Sequence, residues 1–271
     1  MIKRNLVKLS TAVALAAILM AGQAAITNAA PATDVTVNYD AAVSTSIYNG
    51  VDYSAVYDFD YYYNHNQDVA DAFGYDPELL IAHFVNFGMA AGRKASKDFD
   101  VLVYRFENDD VRAAYGDDLT KYYSHFINFG KNEGRNATTV TKATTFSMTD
   151  CYDTNSMYVP LESDYTAINQ VCNKLMTQHQ IVTALNDYLI KVDNAWDDEL
   201  ATLCNACGIK SGITNVSDQS GKDCWWTQTV IDGKVLNTDI RNEKAQNSNR
   251  IFLLLSEQEL TIKLNVIGYN F

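Results

Sequence analysis

Histidine is scarce in this chain, with four in 271 residues. His65, His83 and His125 fall in the N-terminal half, so His179 is the one imidazole available to the C-terminal half. A thiol or hydroxyl nucleophile there has a single candidate histidine base. Basic residues are also short: 21 Lys and Arg stand against 33 Asp and Glu, a formal net charge of −12. That deficit excludes nucleic acid as a partner, because its phosphates need a positive surface. It names no partner, since solubility alone explains an acidic chain. No apolar run reaches the roughly 18 to 20 residues that span a bilayer, so no integral span is expected in the mature chain. Cysteine pairs at zinc-site spacing are missing too. Cys204 and Cys207 form one C-x-x-C with no second pair, so neither a metal nor a cofactor is expected.

What is present begins with an export signal. Lys3, Arg4 and Lys8 precede an apolar stretch at 11–22 and then small residues, with Thr27-Asn28-Ala29 or Asn28-Ala29-Ala30 as a cleavage edge. Residues 1–30 are therefore expected to be a signal peptide, with a retained amphipathic anchor as the alternative. The mature protein is expected to be secreted or held at the cell surface. Five cysteines follow in the C-terminal half: Cys151, Cys172, Cys204, Cys207 and Cys224. The odd count leaves at least one free or intermolecular. Leu200, Leu203, Cys204 and Cys207 share the apolar phase of a helix, so both thiols of the C-x-x-C read as buried small hydrophobes.

A block of 42 residues occurs twice in tandem, at 57–98 and 99–140, with no gap. Asp58, Tyr62, Asn66, Asp68, Val69, Ala72, Gly74, Asp76, His83, Phe84, Asn86, Phe87, Gly88, Gly92, Arg93 and Ala95 each recur 42 positions later. Such repeats are supersecondary units that bury a core by stacking, and they bind or space more often than they catalyse. Each copy reads as two short helices. The first starts near Asn66 or Asn108 and stops at Gly74 or Gly116. The second starts at the N-caps Asp76 and Asp118, with Pro77 at the first helical position in copy one. Leu80, Phe84 and Phe87, like Tyr122, Phe126 and Phe129, form one apolar stripe. His83 and His125 recur in phase with it and read as packing or hydrogen-bonding residues. With the tyrosine-rich lead-in at 48–63, the repeats predict an all-α module over 47–140.

These residues resemble a repeat familiar from exported proteins of Gram-positive bacteria. Its usual form is Phe-Asp-x-x-x-Tyr, then Asn-x-Asp-Val-x-x-Ala-Phe-Gly, then His-Phe-x-x-x-Gly-x-x-x-Gly-Arg. The resemblance covers about 47–137. It implies an envelope or secreted accessory module, often placed before a transglutaminase-like, peptidase-like or wall-binding domain, and implies no catalytic role for the repeat itself.

Residues 138–147 are rich in Thr, Ala and Lys and read as a linker. Beyond them the period predicts a helical region at 164–192 and a helix at 196–207 ending at Gly208. Strands are expected at 209–216, 224–231, 234–240, 250–255 and 260–267, with Asp232-Gly233 as a two-residue hairpin turn. Helices followed by antiparallel strands make residues 148–271 an α+β domain.

This half resembles the transglutaminase-like domain, which implies a papain-like α+β fold. Ala184-Leu185-Asn186-Asp187-Tyr188-Leu189-Ile190 is similar to the family's Ala-Ile-His-Asp-Tyr-Leu-Val. Leu203-Cys204-Asn205-Ala206-Cys207-Gly208-Ile209 is similar to its Leu-Leu-x-x-x-Gly-Ile. The segment from Cys224-Trp225-Trp226-Thr227 through Ile231-Asp232-Gly233-Lys234 resembles His-Ala-Trp-Asn-x-Val-x-Ile-Asp-Gly-Lys. Family enzymes use a Cys nucleophile, a His that makes it a thiolate and an Asp that orients the His. Asp239 matches that Asp, whereas Cys224 stands where the His should be. If 191–196 represents the nucleophile segment, Asp193 replaces the Cys. If Ala195-Trp196-Asp197 instead ends the preceding helix region, the segment is deleted. Asp193, Cys224 and Asp239 are thus remnant triad positions of a domain that the resemblance makes a pseudoenzyme. Trp225 and Trp226 are adjacent on a strand and face opposite sides. One belongs to the core and the other is a candidate for holding a ligand in the old groove.

The expected function is non-catalytic binding or scaffolding at the cell surface, with a peptide, a protein or a cell-wall polymer as partner. One alternative is a thiol hydrolase or acyltransferase using Cys224, with Asp239 and either His179 or an unidentified base. The other is a structural spacer.

Overall fold

The computed structural model describes residues 45–192, 195–246 and 250–271. The expected export signal and Asp193 lie outside them. Among the described residues the chain is mixed helix and sheet, with eleven α-helices and two small antiparallel sheets. No helix among them is long and apolar enough to cross a membrane.

A short hairpin, β1 (Ile47–Tyr48) and β2 (Val51–Asp52), leads into the repeats. Copy one forms α1 (Phe59–His65), α2 (Gln67–Phe73) and α3 (Pro77–His83), and copy two forms α4 (Val101–Glu107), α5 (Asp109–Tyr115) and α6 (Leu119–His125). Each copy therefore has three helices where two were expected. The added helix has a clear cause in Asp58 and Asp100, whose carboxylates accept backbone N–H groups of the following turn. Asn66 is an elbow between α1 and α2. Its backbone N–H closes α1 onto Tyr62 while its carboxamide bonds the Tyr62 and Lys94 carbonyls. Helices α3 and α6 each pass into a π turn, Phe84–Gly88 and Phe126–Gly130.

The two copies share one apolar core that includes Tyr62, Leu80, Phe84, Phe99, Tyr104, Tyr122 and Phe126. Tyr123 couples them. Its ring meets Phe84 edge-on at 5.5 Å and its hydroxyl donates to the Arg93 carbonyl at 2.9 Å. The apolar stripe is incomplete in copy two, because Phe129 is 55% exposed.

The C-terminal half has α7 (Glu162–Val171), α8 (Gln178–Leu189), α9 (Asp197–Ala206), β3 (Ser211–Ser217), β4 (Asp223–Ile231), β5 (Lys234–Thr238), α10 (Ile240–Ala245) and α11 (Glu257–Val266). The strands pair antiparallel in the order β3-β4-β5. Asp232 and Gly233 both take positive φ in the tight turn between β4 and β5, which leaves Ile231 opposite Lys234. Three expectations change. The 164–192 region is two helices, because Thr177 and Gln180 form a reciprocal capping box that starts α8 afresh. Residues 250–255 make only a bridge from Leu255 to Asn237, since Arg250 and Leu254 sit at positive φ and break an extended ladder. Residues 260–267 belong to α11, started by the Ser256–Glu259 capping box. Strand β5 also stops early, because Asp239 caps α10.

Helix α9 packs on one face of this sheet, where Leu200, Leu203 and Cys204 meet Ile209 and Ile231. On the opposite face Cys224 and Trp226 pack against Phe252, Leu255, Leu260 and Leu264. The two halves of the chain meet around a buried ion pair within copy two, Arg105 to Asp117 at 2.9 Å, whose members bond residues of the C-terminal half. Asp117 also accepts the backbone N–H of His179 at 2.9 Å and faces its ring at 3.1 Å. Asp232 accepts the Asp117 N–H at 3.0 Å, and Arg105 donates to the Met176 carbonyl at 3.3 Å.

Candidate functional site

Strand alternation decides where the predicted site residues go. Thr227 donates its hydroxyl to the Asp197 carbonyl at 2.6 Å, so the Trp225–Thr227 face of β4 is the face that meets the start of α9. Cys224 and Trp226 lie on the other face, in the cluster with α11. Trp226 is buried, and its indole N–H has no partner among the described residues. Trp225 is 40% exposed and lines a groove of about 370 Å³.

That groove is built by five pieces of chain. Met157 and Tyr158 come from the segment before α7, Trp196 to Asp198 and Thr202 from the start of α9, Ile213 and Trp225 from the sheet, and Arg241 from α10. Trp196 is 51% exposed and carries the Arg241 guanidinium over its ring at 5.4 Å. Beneath the two indoles lies Asp197, only 3% exposed. One of its oxygens accepts the Ile240 N–H at 2.9 Å, and the other has no partner among the described residues. Burial, reinforced by the charge of Asp239, pushes its carboxyl up to about 7. The sequence carried a signal for this residue. Asp197, Leu200, Ala201 and Cys204 lie at helical spacing on one face, so an acid in an apolar stripe was bound for the interior.

Of the positions expected as triad remnants, Asp193 lies outside the described residues, and Cys224 and Asp239 have no imidazole bonded to them. Cys224 is buried, and burial followed by the nearby Asp239 charge pushes its thiol up to about 11. Asp239 is spent on α10, where its two oxygens accept the backbone and side-chain N–H groups of Asn242 at 2.8 and 2.5 Å. Each of the four imidazoles is engaged elsewhere. His65 bonds the Tyr61 carbonyl, His83 bonds Tyr62, His125 bonds Tyr104 and His179 bonds Asp117. Burial raises the Asp239 carboxyl above its usual range and keeps the Cys224 thiol protonated near neutral pH, and with the four imidazoles bonded elsewhere this pair lacks the histidine base that acyl transfer needs.

A larger cleft of about 780 Å³ lies between the two halves. Its cations are matched by acids: Arg105 by Asp117, Arg112 and Lys142 by Asp109, and Lys174 by Asp150. Each of these cations already has a carboxylate partner among the described residues. All five cysteines are free thiols, and Cys204 and Cys207 are buried beside Leu200 and Leu203.

No protein-family model matches the chain, and no curated protein or solved structure gives a significant match. The site is therefore read from its own geometry.

Proposed function

We propose that this is an exported, cell-surface binding protein: a tandem helical repeat followed by a degenerate, papain-like α+β domain of the transglutaminase-like kind that acts without catalysis. One observation carries the reading. The groove at the start of α9 is walled by two exposed indoles, while the thiol at the old histidine position faces the opposite side of the sheet. Exposed tryptophans are costly to leave in water and are typical anchors of binding surfaces. A thiol kept protonated and without an imidazole is a poor nucleophile at neutral pH. In this reading the repeats present the groove at the envelope, and the Arg105–Asp117 junction fixes their relative orientation.

Sedimentation with isolated Gram-positive cell-envelope material tests the proposal. The native protein is expected to co-sediment, Trp225→Ala to lose most of that binding and Cys224→Ala to keep it. Loss in Cys224→Ala with retention in Trp225→Ala would reverse the assignment and favour thiol chemistry.

A further inference from the structure

The groove chemistry narrows the ligand. We infer that it takes a neutral glycan chain, whose sugar rings lie on Trp225 and Trp196 while their hydroxyls meet Asp198 and Arg241; this rests on the binding reading above. A pyranose offers one apolar C–H face and a rim of hydroxyls, so it needs a flat aromatic surface beside both acceptors and donors. Here the flat surfaces are the two exposed indoles. The acceptor is the exposed Asp198; Asp197 lines the groove beneath it, 97% buried, with one enclosed oxygen that has no partner among the described residues. Such a group is costly unless something pairs with it. Arg241 is the donor, held in place by its stack on Trp196.

Other occupants fit less well. A peptide could bind by adding a strand to the sheet edge, but within the groove the Ile213 N–H of β3 is already taken by the Tyr158 hydroxyl at 3.2 Å. A quaternary ammonium or lysine ligand would meet the like charge of Arg241 beside Trp196. A phosphate-bearing polymer meets two carboxyl groups and a chain of net charge −12.

The test uses the full chain with two neutral probes, the N-acetylglucosamine hexamer and cellohexaose, followed by titration calorimetry and indole fluorescence. Saturable binding is expected for at least one, accompanied by a change in indole emission. Trp225→Ala should weaken it at least tenfold, and Trp225→Phe should restore part of it, with both variants folded by circular dichroism because Trp225 lies at the surface. Absence of binding to both probes, while envelope material still binds through Trp225, overturns the glycan inference and leaves the binding reading standing. Stronger Trp225-dependent binding of a phosphate-rich wall polymer or of a peptide overturns it in the same way. If nothing binds through Trp225, both fall.

Discussion

The Tyr62 hydroxyl and His83 Nδ1 share a hydrogen bond of 2.8 Å, and 42 residues later Tyr104 and His125 repeat it at 2.7 Å. Each pair joins the first helix of its repeat to the third. The tyrosine hydroxyl also sits where a side chain on Gly88 or Gly130 would have to go. This explains the joint recurrence of Tyr, His and Gly at fixed spacing: they are three faces of one contact. Asp68–Arg93 and Asp110–Arg135, each beside the elbow asparagine, form a second such set.

The glycines are therefore replaceable only at a cost. A Cβ at Gly88 would stand 2.7 Å from the Tyr62 hydroxyl, and one at Gly130 only 2.2 Å from the Tyr104 hydroxyl. Gly→Ala inside a helix ordinarily gains about 1 kcal/mol, whereas overpacking costs about 1–3 kcal/mol. Urea denaturation is expected to find both variants destabilised, Gly130→Ala more than Gly88→Ala. Adding Tyr104→Phe to Gly130→Ala should recover part of the loss in a double-mutant cycle. Full additivity of the two changes would show that the hydroxyl is not the obstacle.

The Arg105–Asp117 pair at the junction predicts a pH dependence. Burial pushes the Asp117 carboxyl up, but its hydrogen bonds from His179 and the charge of Arg105 outweigh that and hold it below the usual carboxylate range. A depressed folded value means that the stabilisation is present above the unfolded value of about 4 and is lost as pH falls through the folded one. Asp117→Asn leaves Arg105 buried without its counter-charge and should cost about 3–5 kcal/mol. Melting curves from pH 7 to 2 should show the native protein losing stability below about pH 4 more steeply than the variant. Proteolysis of the 138–147 linker should quicken in Asp117→Asn. Parallel pH curves for the two proteins would remove Asp117 from the junction's energetics.

Much of this was readable from the chain, and the misses have local causes. Asp76 and Pro77 announced α3, and Asp232-Gly233 announced the hairpin, because caps and tight turns are written in two or three residues. The extra repeat helix is signalled by Asp58 and Asp100, which recur as caps, but tyrosine-rich runs such as Tyr61-Tyr62-Tyr63 blur its helical period. Leu260, Ile262 and Leu264 alternate as in a strand, yet the Ser256–Glu259 capping box starts helix α11 there. The groove itself joins residues from five separate segments, so no sequence period could announce it. Only the facing of Trp225 and Trp226 followed from strand geometry alone.

Thiol labelling separates the cysteines. Cys151 is half-buried, while Cys172, Cys204, Cys207 and Cys224 are buried. Burial pushes the Cys172 thiol up to about 12 and that of Cys224 up to about 11. Iodoacetamide at pH 8 on the native protein is expected to modify Cys151 first, with Cys224 reacting at a rate set by opening of the fold. Peptide mass spectrometry gives the order. Selective early modification of Cys224 would mean an activated thiol and would revive the catalytic alternative.

Asp197 predicts the opposite pH sign from Asp117. Its carboxyl is raised to about 7 by burial and by Asp239, against an unfolded value of about 4. A raised folded value contributes stability that is fully present below pH 4 and is lost as pH rises through 7. Three pH units correspond to about 4 kcal/mol at most. Asp197→Asn keeps an oxygen for the Ile240 N–H and has no charge to bury. It should therefore match the native protein near pH 4 and exceed it at pH 8, by an amount that grows between those values. Guanidinium denaturation at pH 4, 6 and 8 reads this directly. If the variant is instead less stable at pH 8, Asp197 is ionised there and stabilised by a partner, and the groove would then hold a fixed negative charge beneath its indoles.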